Sequence, residues 1–177
     1  LTDSHWTGWG AFVAARELMQ RIKKYFPAVS VPDENEYLVF PVVENSGDLA
    51  AMLFLKEILQ EEVIWLWPKK ESRAKNGTRD YPASITVPGT KLIVQETGDK
   101  RLPRALMFND SFGDSLPPYI SPSFQSSIYV HNFVFLPELI VKEKPDVVIL
   151  ECVERNLDAH MVENPETVRV ECKNAGK

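Results

Sequence analysis

Two short stretches carry residue types that together could transfer an acyl group. Asp3-Ser4-His5-Trp6 puts a carboxylate two positions before an imidazole. In an extended segment residues i and i+2 point to the same side. Asp3 can then accept the His5 Nδ1–H and leave Nε2 free as a base. Serine is a poor nucleophile until such a base takes its proton. Asn109-Asp110-Ser111-Phe112-Gly113 supplies a serine where an apolar run hands over to a helical pattern. Backbone N–H groups at the positive end of that helix could stabilise an oxyanion. The long separation between His5 and Ser111 is no obstacle, because triads are defined by geometry and occur in several chain orders.

Each stretch also has an architectural reading. Ser and Asp are common helix caps, which would account for Ser111 and Asp110. Asp3 could cap the following helix while His5 packs locally. A metal site is a third reading of the histidines. It needs another ligand from His131, His160 or a carboxylate, and no metal-ligand spacing is present, so no metal or cofactor is expected. Trp6, Trp9, Trp65 and Trp67 are read as core packing or, for Trp6 and Trp9 beside the histidine, as a surface on which a sugar stacks.

The elements that must position these residues follow from periodicity. Phe12, Ala15, Leu18, Met19 and Ile22 fall at helical spacing over residues 8–26, with Thr7 as N-cap and Pro27 beyond the end. Residues 37–43 read as a strand broken by Pro41, 48–59 as a second helix and 63–67 as a short buried strand. The stretch 68–83 is a long polar loop with Lys69, Lys70, Arg73, Lys75 and Arg79. It is either a solvated charged loop or a basic rim that attracts an anionic substrate. Residues 84–87 and 92–95 read as a hairpin around Pro88-Gly89. Then come a strand at 105–108, a short helical stretch from Phe112 broken by Pro117 and Pro118, a strand at 128–130, a helix at 136–144 and a strand at 147–150. That βαβ rhythm predicts an α/β fold with a flavodoxin-like parallel sheet flanked by helices. A single domain over 1–163 is expected, with a terminal strand and tail over 164–177.

Composition narrows the function classes. The 177 residues are 44% hydrophobic and 25% charged, which is ordinary globular usage. The net charge is −5, without the basic excess of a nucleic-acid binder. No apolar run approaches the ~20 residues of a membrane span. Cys152 and Cys172 are too few for a disulfide framework and are read either as a pair or as two free thiols. The chain starts at Leu1 with no visible signal peptide, and is read as a mature or excised fragment.

With these residues in view, the chain resembles the alginate O-acetyltransferase (AlgJ/AlgX-like) group of SGNH-hydrolase-like proteins. The resemblance rests on Asp3-Ser4-His5-Trp6 followed by Gly10, and on Asp110-Ser111-Phe112-Gly113 after the run from Leu102 to Met107. Weaker matches are Gly47-Asp48-Leu49-Ala50, the run from Lys144 to Ile149, and Glu154-Arg155. It implies Ser111 as nucleophile, His5 as base and then acid, and Asp3 as orienting carboxylate. It further implies an exported, periplasmic or cell-surface protein that works on polysaccharide with an acetyl donor and a membrane-bound acetyl-transfer partner. Asn109 stands where the family often has Gly, and the blocks that complete an oxyanion hole are unmatched. Asn132 is a second candidate donor beside the Ser111 amide. Arg155 either approaches the cleft or pairs with Glu151 or Glu154. The same triad serves transfer to an alcohol and transfer to water. The alternative is a non-catalytic carbohydrate-binding or scaffold domain on an SGNH-like fold.

Overall fold

The first helix forms where the apolar spacing places it. In the computed structural model, which describes residues 2–81, 90–131 and 136–157, α1 runs over Gly8–Lys23. The Thr7 side chain accepts from the Gly10 amide, and Arg21 and Lys23 lie in the last turn, where the helix dipole favours cations. Ala11, Phe12, Ala15, Met19 and Ile22 form its buried stripe. The remaining elements, in chain order, are β1 (Tyr37–Asn45), α2 (Asp48–Met52), β2 (Gln60–Pro68), β3 (Lys75–Asn76), β4 (Lys91–Glu96), β5 (Arg104–Asn109), α3 (Pro117–Ile120), β6 (Ser126–His131), α4 (Pro137–Glu143) and β7 (Val147–Leu150).

The expected parallel sheet is replaced by a mixed one. Five strands stand in the order β3-β4-β6-β5-β7, and β1 and β2 form a separate antiparallel ribbon. Only the β5–β6 and β5–β7 pairings are parallel; β4 runs antiparallel to β6, and β3 to β4. The reason lies in the connections. A parallel neighbour needs a crossover of a dozen or more residues, and the β5-to-β6 and β6-to-β7 links supply it. The link over 97–103 turns through Gly98 at φ +70 and carries no helix. The hairpin and terminal-strand expectations for 84–87 and 164–177 fall outside the described residues.

β5 is the hub. Its side chains alternate between two apolar clusters, as period 2 requires. Ala105 and Met107 pack with Ala15, Met19 and Ile120 under α1 and α3. Leu106 and Phe108 pack with Ile128, Val130 and Leu139 under α4. A strand buried on both faces reads as a continuous apolar run, which is why 105–108 stands out in the sequence.

The second helix is much shorter than its periodicity predicts. It stops at Met52 because the chain turns left-handed at Phe54, φ +59. Ser46 closes the turn: its amide donates to the Leu59 carbonyl and its hydroxyl to the Lys56 carbonyl. Leu53 and Phe54 stay exposed, so no core face existed to extend the helix.

Phe12 joins α1 to the β1–β2 ribbon. Its ring lies 5.5 Å from Tyr37 and 5.7 Å from Tyr119 and is almost fully buried. Phe12→Ala is expected to cost ~3–5 kcal/mol of unfolding free energy, measured by chemical denaturation; a loss under ~1 kcal/mol would show that the junction is not packed as described.

Candidate functional site

Ser111 sits at the carboxyl edge of the hub strand. The link from β5 leads to β6 on one side, and the link from β6 returns to β7 on the other. Ligands of open α/β sheets bind where connections diverge in this way. Ser111 is exposed in a turn immediately after β5. A single 3-10 turn over Gly113–Ser115 follows, not the α-helix expected from Phe112 onward. Pro117 and Pro118 confine α3 to four residues, so the expected helix-dipole contribution at Ser111 gives way to local N–H groups. The Phe112 amide donates to Asp110 Oδ1 at 2.8 Å.

The front segment reaches Ser111. His5 Nε2 lies 2.8 Å from Ser111 Oγ, and His5 Nδ1 lies 2.8 Å from Asp3 Oδ1. The same Asp3 oxygen accepts the His5 backbone amide at 2.8 Å. The segment is therefore bent at Ser4 and His5, an Asx-type turn and not the extended alternation expected. Asp3 Oδ2 accepts the Asp48 amide at 3.3 Å. A Cβ at Gly47 would collide with that carboxylate, so only glycine lets Asp3 settle at the start of α2. The Thr2 carbonyl accepts the Leu49 and Ala50 amides at 3.0 and 3.2 Å. Asp48 in turn accepts the Ser4 amide at 2.6 Å and the Ser4 hydroxyl. These bonds satisfy the orphan N–H groups of a helix start. Burial raises the Asp3 carboxyl, but the His5 and Asp48 hydrogen bonds outweigh it and hold it below its ordinary value. The Ser4 hydroxyl and amide do the same for Asp48.

Phe112 collects the next shell. Its ring lies 4.8 Å from the His5 ring and edge-on to Trp6 at 5.6 Å, with the Arg155 guanidinium 5.6 Å above it. Trp6 Nε1–H donates to the Phe112 carbonyl at 3.1 Å and to Ser115 Oγ at 2.6 Å. Trp6 thus ties the front segment to the serine turn, and it also lines a cleft. Arg155 reaches the site through Phe112 and pairs with no carboxylate among the described residues. Trp9 stacks on Phe12 instead of facing His5. Asn132, His160 and Cys172 lie outside the described residues, so neither the second oxyanion donor nor the cysteine pairing is placed. His131 Nδ1 bonds Asp114 Oδ1 at 2.9 Å, apart from the His5 cluster. Asp3, His5 and Asp48 bring ligand atoms within 4.8 Å, yet these atoms already serve one another, Ser4 and the α2 amides. On either side of β3, Arg79 pairs with Glu96 at 2.5 Å, Arg73 donates to the Pro122 carbonyl and Lys69 to the Asn35 carbonyl. These cations are anchored, and none lines the cleft, which removes the basic-rim reading for them.

Sequence reasoning missed the partners that hold Asp3, His5 and the Ser111 turn. Gly47 and Asp48 were visible only as a weak motif match, and Glu151 only as a partner for Arg155. Asp110 is buried, accepts the Val153 amide at 2.7 Å and lies beside the Glu151 carboxyl. A Cβ at Gly113 would collide with Asn109 and Glu151, so the serine turn sits directly on this pair. Burial, and then the Asp110 charge, push the Glu151 carboxyl up to about 7.

No family model and no curated protein matches the chain. Solved structures do. A DHHW family protein from Eubacterium siraeum superposes with a TM-score of 0.61 at 21% identity, over 84% of this chain and 56% of that one. Bacillus cereus PatB1 superposes at 0.63 with 19% identity, over 88% of this chain and 62% of PatB1. PatB1 with a sulfonyl adduct superposes at 0.62 with 17% identity, over 88% and 60%. The chain therefore shares their fold and spans about six-tenths of their length. This corrects the alginate O-acetyltransferase resemblance: the similar structures are a DHHW family protein and PatB1, and nothing in them points to alginate. It also corrects the flavodoxin-like assignment, since the shared fold is built on a mixed sheet.

The Glu151 shift sets a pH dependence of stability. Between about 4.5, its ordinary value, and about 7 in the fold, the folded chain holds a proton that the unfolded chain has released. Stability from this group is therefore full below the lower value and lost as pH rises through the upper one. Glu151→Gln, which keeps the protonated shape, is expected to melt higher than the parent at about pH 8, with the advantage shrinking by about pH 5. Thermal melts at both values test it, and a variant no more stable at the higher pH contradicts the assignment.

Proposed function

We propose that the chain is a serine-dependent acyl-transfer enzyme, with Ser111 as nucleophile, His5 as general base and acid, and Asp3 as the carboxylate that orients the ring. One observation carries the reading: two consecutive 2.8 Å contacts run from Asp3 Oδ1 through the His5 ring to Ser111 Oγ. With Nδ1–H donating to Asp3, Nε2 is left as the acceptor of the serine proton. As that proton moves to Nε2, Oγ attacks the carbonyl carbon of an acetyl ester. Collapse of the tetrahedral intermediate breaks the bond to the leaving oxygen, which takes the proton from Nε2. The product is acetyl-Ser111. Asp3 and Asp48 face the ring's Nδ1 at 2.8 and 3.8 Å, so the positive charge gained by the ring meets fixed negative charge. The Ser111 amide is the oxyanion donor of this turn, since the Phe112 amide is held by Asp110. A protein of the same fold carries a sulfonyl adduct, and nucleophilic side chains are what capture such groups.

Ser111→Ala and His5→Ala are each expected to abolish p-nitrophenol release from p-nitrophenyl acetate. Asp3→Asn is expected to lower the rate on the order of 10²–10⁴-fold. Mass spectrometry after brief incubation should place a rise of about 42 Da on Ser111, the acetyl-serine of nucleophilic catalysis. Unchanged turnover in folded Ser111→Ala and His5→Ala variants would remove the assignment.

A further inference from the structure

The serine turn rests on an acid that the proposed chemistry does not use. Glu151 follows β7, and its amide donates to the Phe108 carbonyl near the end of β5 at 2.9 Å. That bond brings the Glu151 side chain against the turn that holds Ser111. A Cβ on Gly113 would stand 2.5 Å from Glu151 Oε2 and 2.4 Å from Asn109 Cβ. Glu151 Oε2 is shielded from solvent and has no hydrogen-bond partner among the described residues. Asn109 borders the same glycine, and its Oδ1 is in the same condition.

The charges around Glu151 are of one sign. It forms no ion pair with Lys, Arg or His among the described residues. The titratable groups that face it are Asp110, from the serine turn, and Cys152, its neighbour in the chain. Asp110 is buried and gives one oxygen to the Phe112 amide and the other to the Val153 amide. An ionised Glu151 would add a second buried carboxylate behind Gly113, with no donor for Oε2. Desolvation and a like charge both disfavour that form, which is why the carboxyl is pushed up to about 7.

We propose that Glu151 is a positioning residue for acyl transfer at Ser111, competent only while its carboxyl is neutral, and that its ionisation turns the site off. The inference rests on the acetyl-Ser111 reading above. The tetrahedral intermediate puts negative charge beside the Ser111 amide, two residues before Gly113. Fixed charge at such a site counts for far more than in water. A neutral Glu151 leaves that amide's field unopposed and fits the space behind Gly113. An ionised one opposes the developing charge and repels Asp110, which holds the turn from below. Rate is therefore present below the Glu151 titration and lost as pH rises through it.

The test follows kcat/KM for p-nitrophenyl acetate from about pH 5 to about pH 9, with Ser111→Ala as the blank and circular dichroism confirming the fold at each pH. The unsubstituted chain is expected to give a bell-shaped profile, ~10-fold lower at about pH 8.5 than at its maximum. Glu151→Gln, neutral at every pH, is expected to hold its rate over the alkaline range. A merely structural role would lower the rate alike at every pH and leave the fall in place. A Ser111-dependent rate with no alkaline fall overturns the role of Glu151 alone. So does a folded Glu151→Gln that keeps the fall. A Glu151→Gln that cannot fold overturns it as well, because a competent neutral form must accept the neutral carboxamide. Release that persists undiminished in Ser111→Ala overturns the acetyl-serine reading and this inference with it.

Discussion

The Asp3 carboxylate is the joint on which the site depends. One oxygen holds His5 by both amide and ring; the other caps α2 through the Asp48 amide. Ordering an irregular segment costs about 1–2 kcal/mol per residue in backbone entropy. A helix as short as α2 is marginal by itself. Each offsets the other's weakness: the Thr2 carbonyl and Asp3 carboxylate satisfy the helix start, and Asp48 holds Ser4. The imidazole is aimed because a five-residue helix and a three-residue turn share their unsatisfied groups.

The other half of the site is rigid for a different reason. Ser111 leaves the end of a strand whose side chains are buried in both apolar clusters. Its turn is pinned from below by Asp110, which holds the Phe112 and Val153 amides. Trp6 then crosses from the front segment to the Phe112 carbonyl and Ser115. An imidazole on an irregular segment meets a hydroxyl at the end of the core strand, and the Trp6 indole ties the two segments together.

What the sequence revealed follows from how local each cause is. The strand at 105–108 was legible because burial on both faces leaves an unbroken apolar run; that at 147–150 was legible from its apolar run alone, since Val148 and Leu150 are exposed. The helix from Gly8 was legible from its stripe and from Thr7. Asp3, His5 and Ser111 stood out because few residue types can do acyl chemistry. The antiparallel course of β4 was not legible, since strand direction is set by the connection and not by periodicity. Gly47 was opaque for a similar reason: it must be glycine because of a carboxylate far earlier in the chain. The short α2 was overread because Leu53 and Phe54 continue an apolar pattern that no core receives.

In the acyl transfer proposed above, the carboxylates around one imidazole would lie apart from the negative charge that the reaction creates. Asp3 and Asp48 lie on the Nδ1 side of the ring, where positive charge appears. Negative charge appears at the carbonyl oxygen near the Ser111 amide, above the Asp110–Glu151 pair. Two ionised carboxylates there would oppose it. With Glu151 raised to about 7, its carboxyl is neutral below that value, while Asp110 accepts the Phe112 and Val153 amides. The carboxyl pressed against Gly113 is then neutral. The same burial that makes Glu151 a cost to stability at high pH therefore limits the negative field beneath Ser111.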